Sequence, residues 1–232
     1  MRKRKAIALF VLCALIFTFF IPLRTDAYIK SGDVFYKHQN SSKKIALTFD
    51  DGPHPAQTDE ILRLLSKHGI KATFFVVGQN VKNNPEVTAR VISEGHEIGN
   101  HTYSHPNLKT LSEKDLRGEI KKTEQILFEI CEYRPKLFRP PCGFCDENTV
   151  KAVSQMDYYI ILWTVDTLDW NHTKAQDIVD GVTKNVKDGS IILCHDYIGR
   201  NGHTAEALDI LIPKLKNEGY QFVTVSELLV SN

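Results

Sequence analysis

From Lys44 onward, short runs of β-branched and aromatic residues alternate with longer segments whose apolar side chains recur every three or four positions. The short runs cover residues 45–49, 72–77, 97–99, 137–139, 160–165, 190–194 and 221–223, and read as strands. The longer ones cover 57–68, 85–94, 112–130, 173–187 and 204–218, and read as amphipathic helices. On 57–68 the stripe is Ile61, Leu62, Leu64 and Leu65. On 112–130 it is Leu116, Ile120, Ile126 and Leu127, behind a Ser112-x-x-Asp115 start close to a capping box. Gly219 stands where the last of these helices should stop. Repeated strand–helix alternation implies parallel strands joined by right-handed crossovers. Seven to eight such units within residues 44–230 predict an α/β fold, a compact and distorted (β/α) barrel. An open doubly wound sheet also satisfies the alternation.

The residues ahead of this pattern differ in kind. Arg2 to Lys5 form a basic head, 6–23 is an uncharged apolar run broken only by Pro22, and Thr25-Asp26-Ala27 supplies small residues for cleavage. Residues 1–27 read as a secretory signal or as an uncleaved N-terminal membrane anchor. Either one exports the domain to the outer face of the cytoplasmic membrane or beyond. Cys13 follows Leu12 rather than a small residue, which argues against a lipoprotein. Residues 28–43, polar and containing Ser31-Gly32, Asn40 and Ser41-Ser42, read as a short linker. The catalytic domain is then expected at 44–230, acting as a monomer.

The whole chain carries a net charge of +1. Without 1–27 it loses five of its 29 basic and one of its 28 acidic residues and becomes −3. No Lys/Arg cluster remains of the kind that a nucleic-acid backbone requires, so a nucleic-acid partner is excluded. Four cysteines follow the leader: Cys131, Cys142, Cys145 and Cys194. An even number in an exported protein permits disulfides without defining them. Cys142-x-x-Cys145 has no second Cys-x-x-Cys to complete a zinc site.

Reactive side chains collect just after the strand runs. Asp50-Asp51-Gly52-Pro53 follows the first, Asn100-His101 through His105 the third, and Arg139-Pro140-Pro141 the fourth. Asp166 through Trp170 follows the fifth, and His195-Asp196 the sixth. In α/β barrels the loops at that end build the active site. His101-x-x-x-His105 offers two imidazoles that would share one face of a helical turn. With Asp51 they make a two-His, one-carboxylate set with positions left open, as in catalytic zinc sites and also iron, cobalt or nickel sites. Taken alone, such a pair is more commonly two exposed histidines. Asp50-Asp51 reads either as an Asx turn or as one ligand beside a base. His195 titrates near neutrality and suits a general acid, or is a structural histidine. Asp169 and Asp166 are placed to hold its ring, and Arg139 to hold Asp50. Trp170 is either a pocket wall or core.

Five segments, in order, carry a resemblance to a known family. They are Thr48-Phe49-Asp50-Asp51-Gly52-Pro53, His101-Thr102-Tyr103-Ser104-His105, Arg139-Pro140-Pro141-Cys142-Gly143, Asp166-Thr167-Leu168-Asp169-Trp170 and Leu193-Cys194-His195. The chain resembles the polysaccharide deacetylases of the NodB-homology type, carbohydrate esterase family 4, from about Lys44 to Leu229. The resemblance implies a distorted (β/α) barrel and one divalent metal ion, Zn²⁺ or Co²⁺ or another transition metal, on Asp51, His101 and His105. It implies that Asp50 is the base and Arg139 its tuner. His195 is then the acid, supported by Asp169, and Pro140, Cys142, Trp170 and Leu193 contact substrate. The implied reaction hydrolyses an acetamide on an N-acetylated glycan, with a backbone N–H at Cys142 facing the oxyanion. Peptidoglycan N-acetylglucosamine is the favoured substrate. Chitooligosaccharide, N-acetylmuramic acid and acetyl-xylan are alternatives, and a non-catalytic glycan-binding relative is a further one. Many members carry Tyr where this chain has Cys142, which keeps the backbone donor but changes the side chain. Cys142 and Cys194 belong to two of the five segments and are expected to lie near each other.

Overall fold

The computed structural model describes residues 34–39, 42–171, 173–199 and 202–231. The leader at 1–27, Cys13 within it, and the first part of the 28–43 segment lie outside the described residues. Among the described residues, no helix is long and apolar enough to cross a membrane.

The described residues form nine strands: β1 (Val34–Phe35), β2 (Lys44–Asp50), β3 (Thr73–Val76), β4 (Glu97–Asn100), β5 (Leu137–Phe138), β6 (Tyr159–Ile161), β7 (Val165–Asp166), β8 (Ile191–His195) and β9 (Gln221–Val223). Among the described residues eight α-helices accompany them: α1 (Gln57–His68), α2 (Gly78–Asn83), α3 (Pro85–Ser93), α4 (Glu113–Cys131), α5 (Glu147–Ser154), α6 (Ala175–Asn185), α7 (Thr204–Asn217) and α8 (Val225–Leu229). Every strand pairing is parallel, in the order β1-β6-β5-β4-β3-β2-β8-β7, with β9 also on β2. Only residues 162–164 separate β6 from β7. One stretch of chain therefore pairs with β5 on one side and with β8 on the other, and the sheet curls into a distorted (β/α) barrel.

The expected run at 160–165 is thus two strands. Its middle changes partners, Leu162 N–H donating to the Phe35 carbonyl and Thr164 N–H to that of Ile191. β1 lies inside the segment read as linker, and α2, α5 and α8 lie outside the expected helices. These elements are two to eight residues long, too short to express a period that periodicity can detect.

β2 shows how the barrel positions chemistry. Its sequence is almost continuously apolar because both faces are covered. Ile45, Leu47 and Phe49 face the helices and join the main core. Ala46 faces the interior with Phe75, Leu137, Ile161 and Ile191, over α8, which supplies Val225, Leu228 and Leu229 beneath them. On the same inward face of β2 follow Thr48 and then Asp50, so the interior turns from apolar to polar along the strand. β8 repeats the pattern: Ile192 and Cys194 belong to the helix-side core, which leaves Leu193 and His195 for the interior.

Candidate active site

The polar layer begins with Arg139, which is fully buried. Its guanidinium lies 4.0 Å from the Phe75 ring centroid and 5.5 Å from that of Trp163. It donates through Nη1 to Asp50 Oδ1 at 2.7 Å and to Thr48 Oγ1 at 2.9 Å. Nε and Nη2 donate to the Ile161 and Leu162 carbonyls. A buried charge is tolerable only when paired and hydrogen-bonded, and Arg139 with Asp50 meets both conditions. One Asp50 oxygen is consumed this way, while Oδ2 lies 3.8 Å from His101 Nε2.

Asp51 sits at the turn that ends β2, with φ at 76°. Its Oδ1 lies 3.5 Å from His101 Nε2 and 3.4 Å from His105 Nε2. One donor atom from each of these three residues falls within 4.8 Å of the others. The two histidines do not share a helical turn. Residues 101–107 form a loop, with φ of 68° at Thr102 and 53° at His105. Asn100 Oδ1 accepts the Thr102 N–H, and Thr102 Oγ1 accepts the His105 N–H. From α4, Glu119 Oε2 accepts the Tyr103 N–H, the Ser104 N–H and the Ser104 hydroxyl.

This set fits a divalent cation on three observations. Asp51 Oδ1 is buried and has no hydrogen-bond partner, an expensive condition unless a cation occupies the remaining direction. His101 Nδ1 donates to the Arg139 carbonyl at 2.7 Å, which fixes the tautomer and leaves Nε2 a lone pair toward Asp51. Burial also lowers the His101 pKa, against the pull of Asp50 and Asp51, so the ring is neutral as ligation requires.

His195 closes the other side. It pairs with Asp50 across the β2–β8 ladder. Its Nδ1 meets Asp169 Oδ1 at 2.8 Å, and its backbone N–H donates to Asp169 Oδ2, also 2.8 Å. Asp169 is fully buried and takes the Thr204 hydroxyl as well. Burial opposes a charged ring at His195. The hydrogen bond to Asp169 and the charges of Asp169, Asp50 and Asp51 outweigh it and push the pKa up to about 9.

One cavity of about 350 Å³ joins these groups, lined by Asp50, Asp51, His101, His105 and His195 with Cys142, Trp163, Asp166, Trp170 and Leu193. Arg139 and Asp169 stand behind it. Pro140 is buried beside that lining. Asp166 lines the cavity but accepts the Leu168 N–H and does not reach His195. Trp170 is half exposed at the rim rather than in the core. Cys142 is exposed in the cavity, whereas Cys194 is buried among the helix-side residues. All four cysteines described are free thiols.

Sequence reasoning gave no role to Asp196, Trp163 or Glu119. Asp196 was visible as the neighbour of His195. Trp163 sits at the break between β6 and β7, and Glu119 on a helix, where no strand-end rule points.

A parallel barrel whose strand ends gather two imidazoles and an orphaned carboxylate able to hold a divalent cation, beside the buried Asp50–Arg139 and His195–Asp169 pairs, has the construction of a metal-dependent hydrolase. Residues 37–161 match the polysaccharide deacetylase family. A peptidoglycan-N-acetylglucosamine deacetylase of Bacillus cereus is 45% identical over 188 residues, covering 80% of this chain and 68% of the relative. The crystal structure of a peptidoglycan N-acetylglucosamine deacetylase superposes with a TM-score of 0.82 at 40% identity, covering 87% of this chain and 94% of that one. A carbohydrate esterase family 4 pseudoenzyme from Bacillus anthracis superposes with a TM-score of 0.80 at 33% identity, covering 87% of this chain and 70% of that one. The chain belongs to the polysaccharide deacetylase family.

Proposed function

We propose that this protein is an active metal-dependent deacetylase that removes acetyl groups from N-acetylglucosamine in peptidoglycan. An enzyme and a pseudoenzyme share its fold almost equally, so the fold does not decide between them. The carrying observation is local: a buried, unpartnered Asp51 oxygen faces two imidazoles, while Asp50 and His195 are each held by a separate partner on either side.

Asp51, His101 and His105 would hold one divalent ion, for which Zn²⁺ is the first candidate. Bound there, such an ion polarises a carbonyl and makes water more acidic. Asp50 is the base. Arg139 occupies Oδ1 and leaves Oδ2 to receive a proton from the attacking water. His195 is the acid. Asp169 fixes Nδ1 and favours the imidazolium, so Nε2 delivers a proton to the amide nitrogen as the C–N bond breaks. Without that proton the leaving group would be an amide anion. Leu193, Trp163 and Trp170 offer an apolar wall for the acetyl methyl. The backbone N–H at Cys142 is the candidate donor to the oxyanion. The products are acetate and a free amino sugar.

An exported location fits a peptidoglycan substrate and rests on the basic head and apolar run at 1–27. Mass spectrometry of glycans incubated with protein and Zn²⁺ tests the reading. Loss of acetyl from N-acetylglucosamine residues of peptidoglycan strands is expected. Loss from N-acetylmuramic residues or chitooligosaccharide alone would move the substrate. Loss from acetylated xylan alone would make the protein an esterase.

A further inference from the structure

We infer that Asp196 is a positioning residue for the metal site, acting through the backbone that carries Asp51; this rests on the deacetylase reading above. Asp51 Oδ1 accepts no hydrogen bond, so no side-chain partner aims that atom at the two imidazoles. Its direction is set by the main chain, which passes through Asp51 at φ 76°, a region L-residues rarely occupy unless held there. Four bonds flank that residue. Asp196 N–H donates to the Asp50 carbonyl at 3.1 Å, and Val77 N–H to the Gly52 carbonyl at 2.9 Å. Asn80 Nδ2 donates to the Asp51 carbonyl at 2.7 Å. Gly52 N–H donates to Asp196 Oδ1 at 2.9 Å. The last is the only one made to a carboxylate, and Asp196 contributes two of the four.

Asp196 is itself tightly fixed. It is 1% exposed, and its other oxygen, Oδ2, accepts the Thr58 hydroxyl at 2.6 Å from the first turn of α1. The fit leaves no room for another residue at the turn, because a Cβ on Gly52 would collide with the Asp196 carboxylate. The side chain thus bridges α1 to the turn after β2, while its own backbone continues β8 just past His195. It ties the ligand side of the cavity to the acid side without touching either reacting group.

The test compares Asp196→Asn and Asp196→Ala with Glu97→Gln. Glu97 serves as a control because its carboxylate also binds hydroxyls, those of Thr73 and Ser226, but at the opposite end of the barrel. Metal-stripped full-length proteins are titrated with Zn²⁺, and their Co²⁺ forms are examined by visible absorption, which reports ligand geometry. Asp196→Ala is expected to weaken metal binding about ten- to hundredfold, the usual cost of losing a group that orients a ligand. Asp196→Asn should lose less, since one oxygen remains to accept the Gly52 N–H. Both should change the Co²⁺ spectrum, whereas Glu97→Gln should lower the melting temperature and leave affinity and spectrum unchanged. If Asp196→Ala does not fold, Thr58→Val removes one anchor of the same carboxylate and should weaken binding in the same direction. Unaltered affinity and spectrum in Asp196→Asn and Thr58→Val would overturn the inference. Failure of the unaltered protein to bind metal would instead overturn the deacetylase reading.

Discussion

His101 and His195 line the same cavity, are both buried or nearly so, and both use Nδ1 to face the protein. What Nδ1 meets is different. At His101 it is the neutral carbonyl of Arg139, and burial lowers the pKa. At His195 it is the carboxylate of Asp169, and the pKa rises to about 9 despite burial. One imidazole is therefore a neutral lone-pair donor and the other a proton carrier at the same pH. The carboxylates divide in the same way. Asp50 is neutralised by Arg139, while Asp51 is left with an unsatisfied oxygen. Like residues in this cavity differ in the partners that stand one layer further from it, which is why they can take opposite roles.

The largest effect that would break this contrast is on the ligand side. His101→Ala removes one of three donors, and zinc binding and acetate release are both expected to disappear; retention of stoichiometric zinc would remove His101 from the ligand set. Asp50→Asn separates base from ligand. It is expected to lower kcat by about 10²- to 10⁴-fold, with zinc affinity close to that of the unaltered protein. A parallel loss of zinc would make Asp50 a ligand.

Asp169→Asn sharpens the acid side. A general acid must be protonated, so activity should decline as pH rises through the His195 pKa near 9. Without the Asp169 charge that decline should move to lower pH, toward the ordinary histidine value, with a smaller loss at neutral pH than Asp50→Asn causes. Stability follows the same linkage. The folded pKa lies above the unfolded one, so the His195–Asp169 contribution is complete below pH 6.5 and is lost as pH rises through about 9. Unfolding by denaturant across that window should show the slope in the unaltered protein and not in Asp169→Asn. The smallest effect is expected from Cys142→Ala, because the backbone N–H remains. A large fall in kcat would instead assign chemistry to the thiol.

Much of the cavity was readable because barrel geometry converts order along the chain into place in space. Asp50, His101, Arg139 and His195 each fall at or just past a strand that periodicity detects, and parallel pairing delivers all four to one end. The same reasoning explains what was missed. β1 and α8 have no measurable period, yet α8 supplies Val225 and Leu228 beneath the barrel interior. The His101–His105 spacing suggested a helix, but a Glu119-pinned loop with two left-handed residues brings the rings together. Alternation also orients Cys194, which lies between two inward residues, Leu193 and His195, and so faces the helices.

The central claim is that one divalent ion on Asp51, His101 and His105, with Asp50 free beside it, drives removal of acetyl from an N-acetylated glycan. Acetate released from peptidoglycan strands, followed while chelator-stripped protein is titrated with Zn²⁺, tests it most directly. Activity should be absent at the start, rise in proportion to added zinc, and reach its plateau at one ion per chain. Release that persists in the stripped protein, or none at full loading, would contradict it.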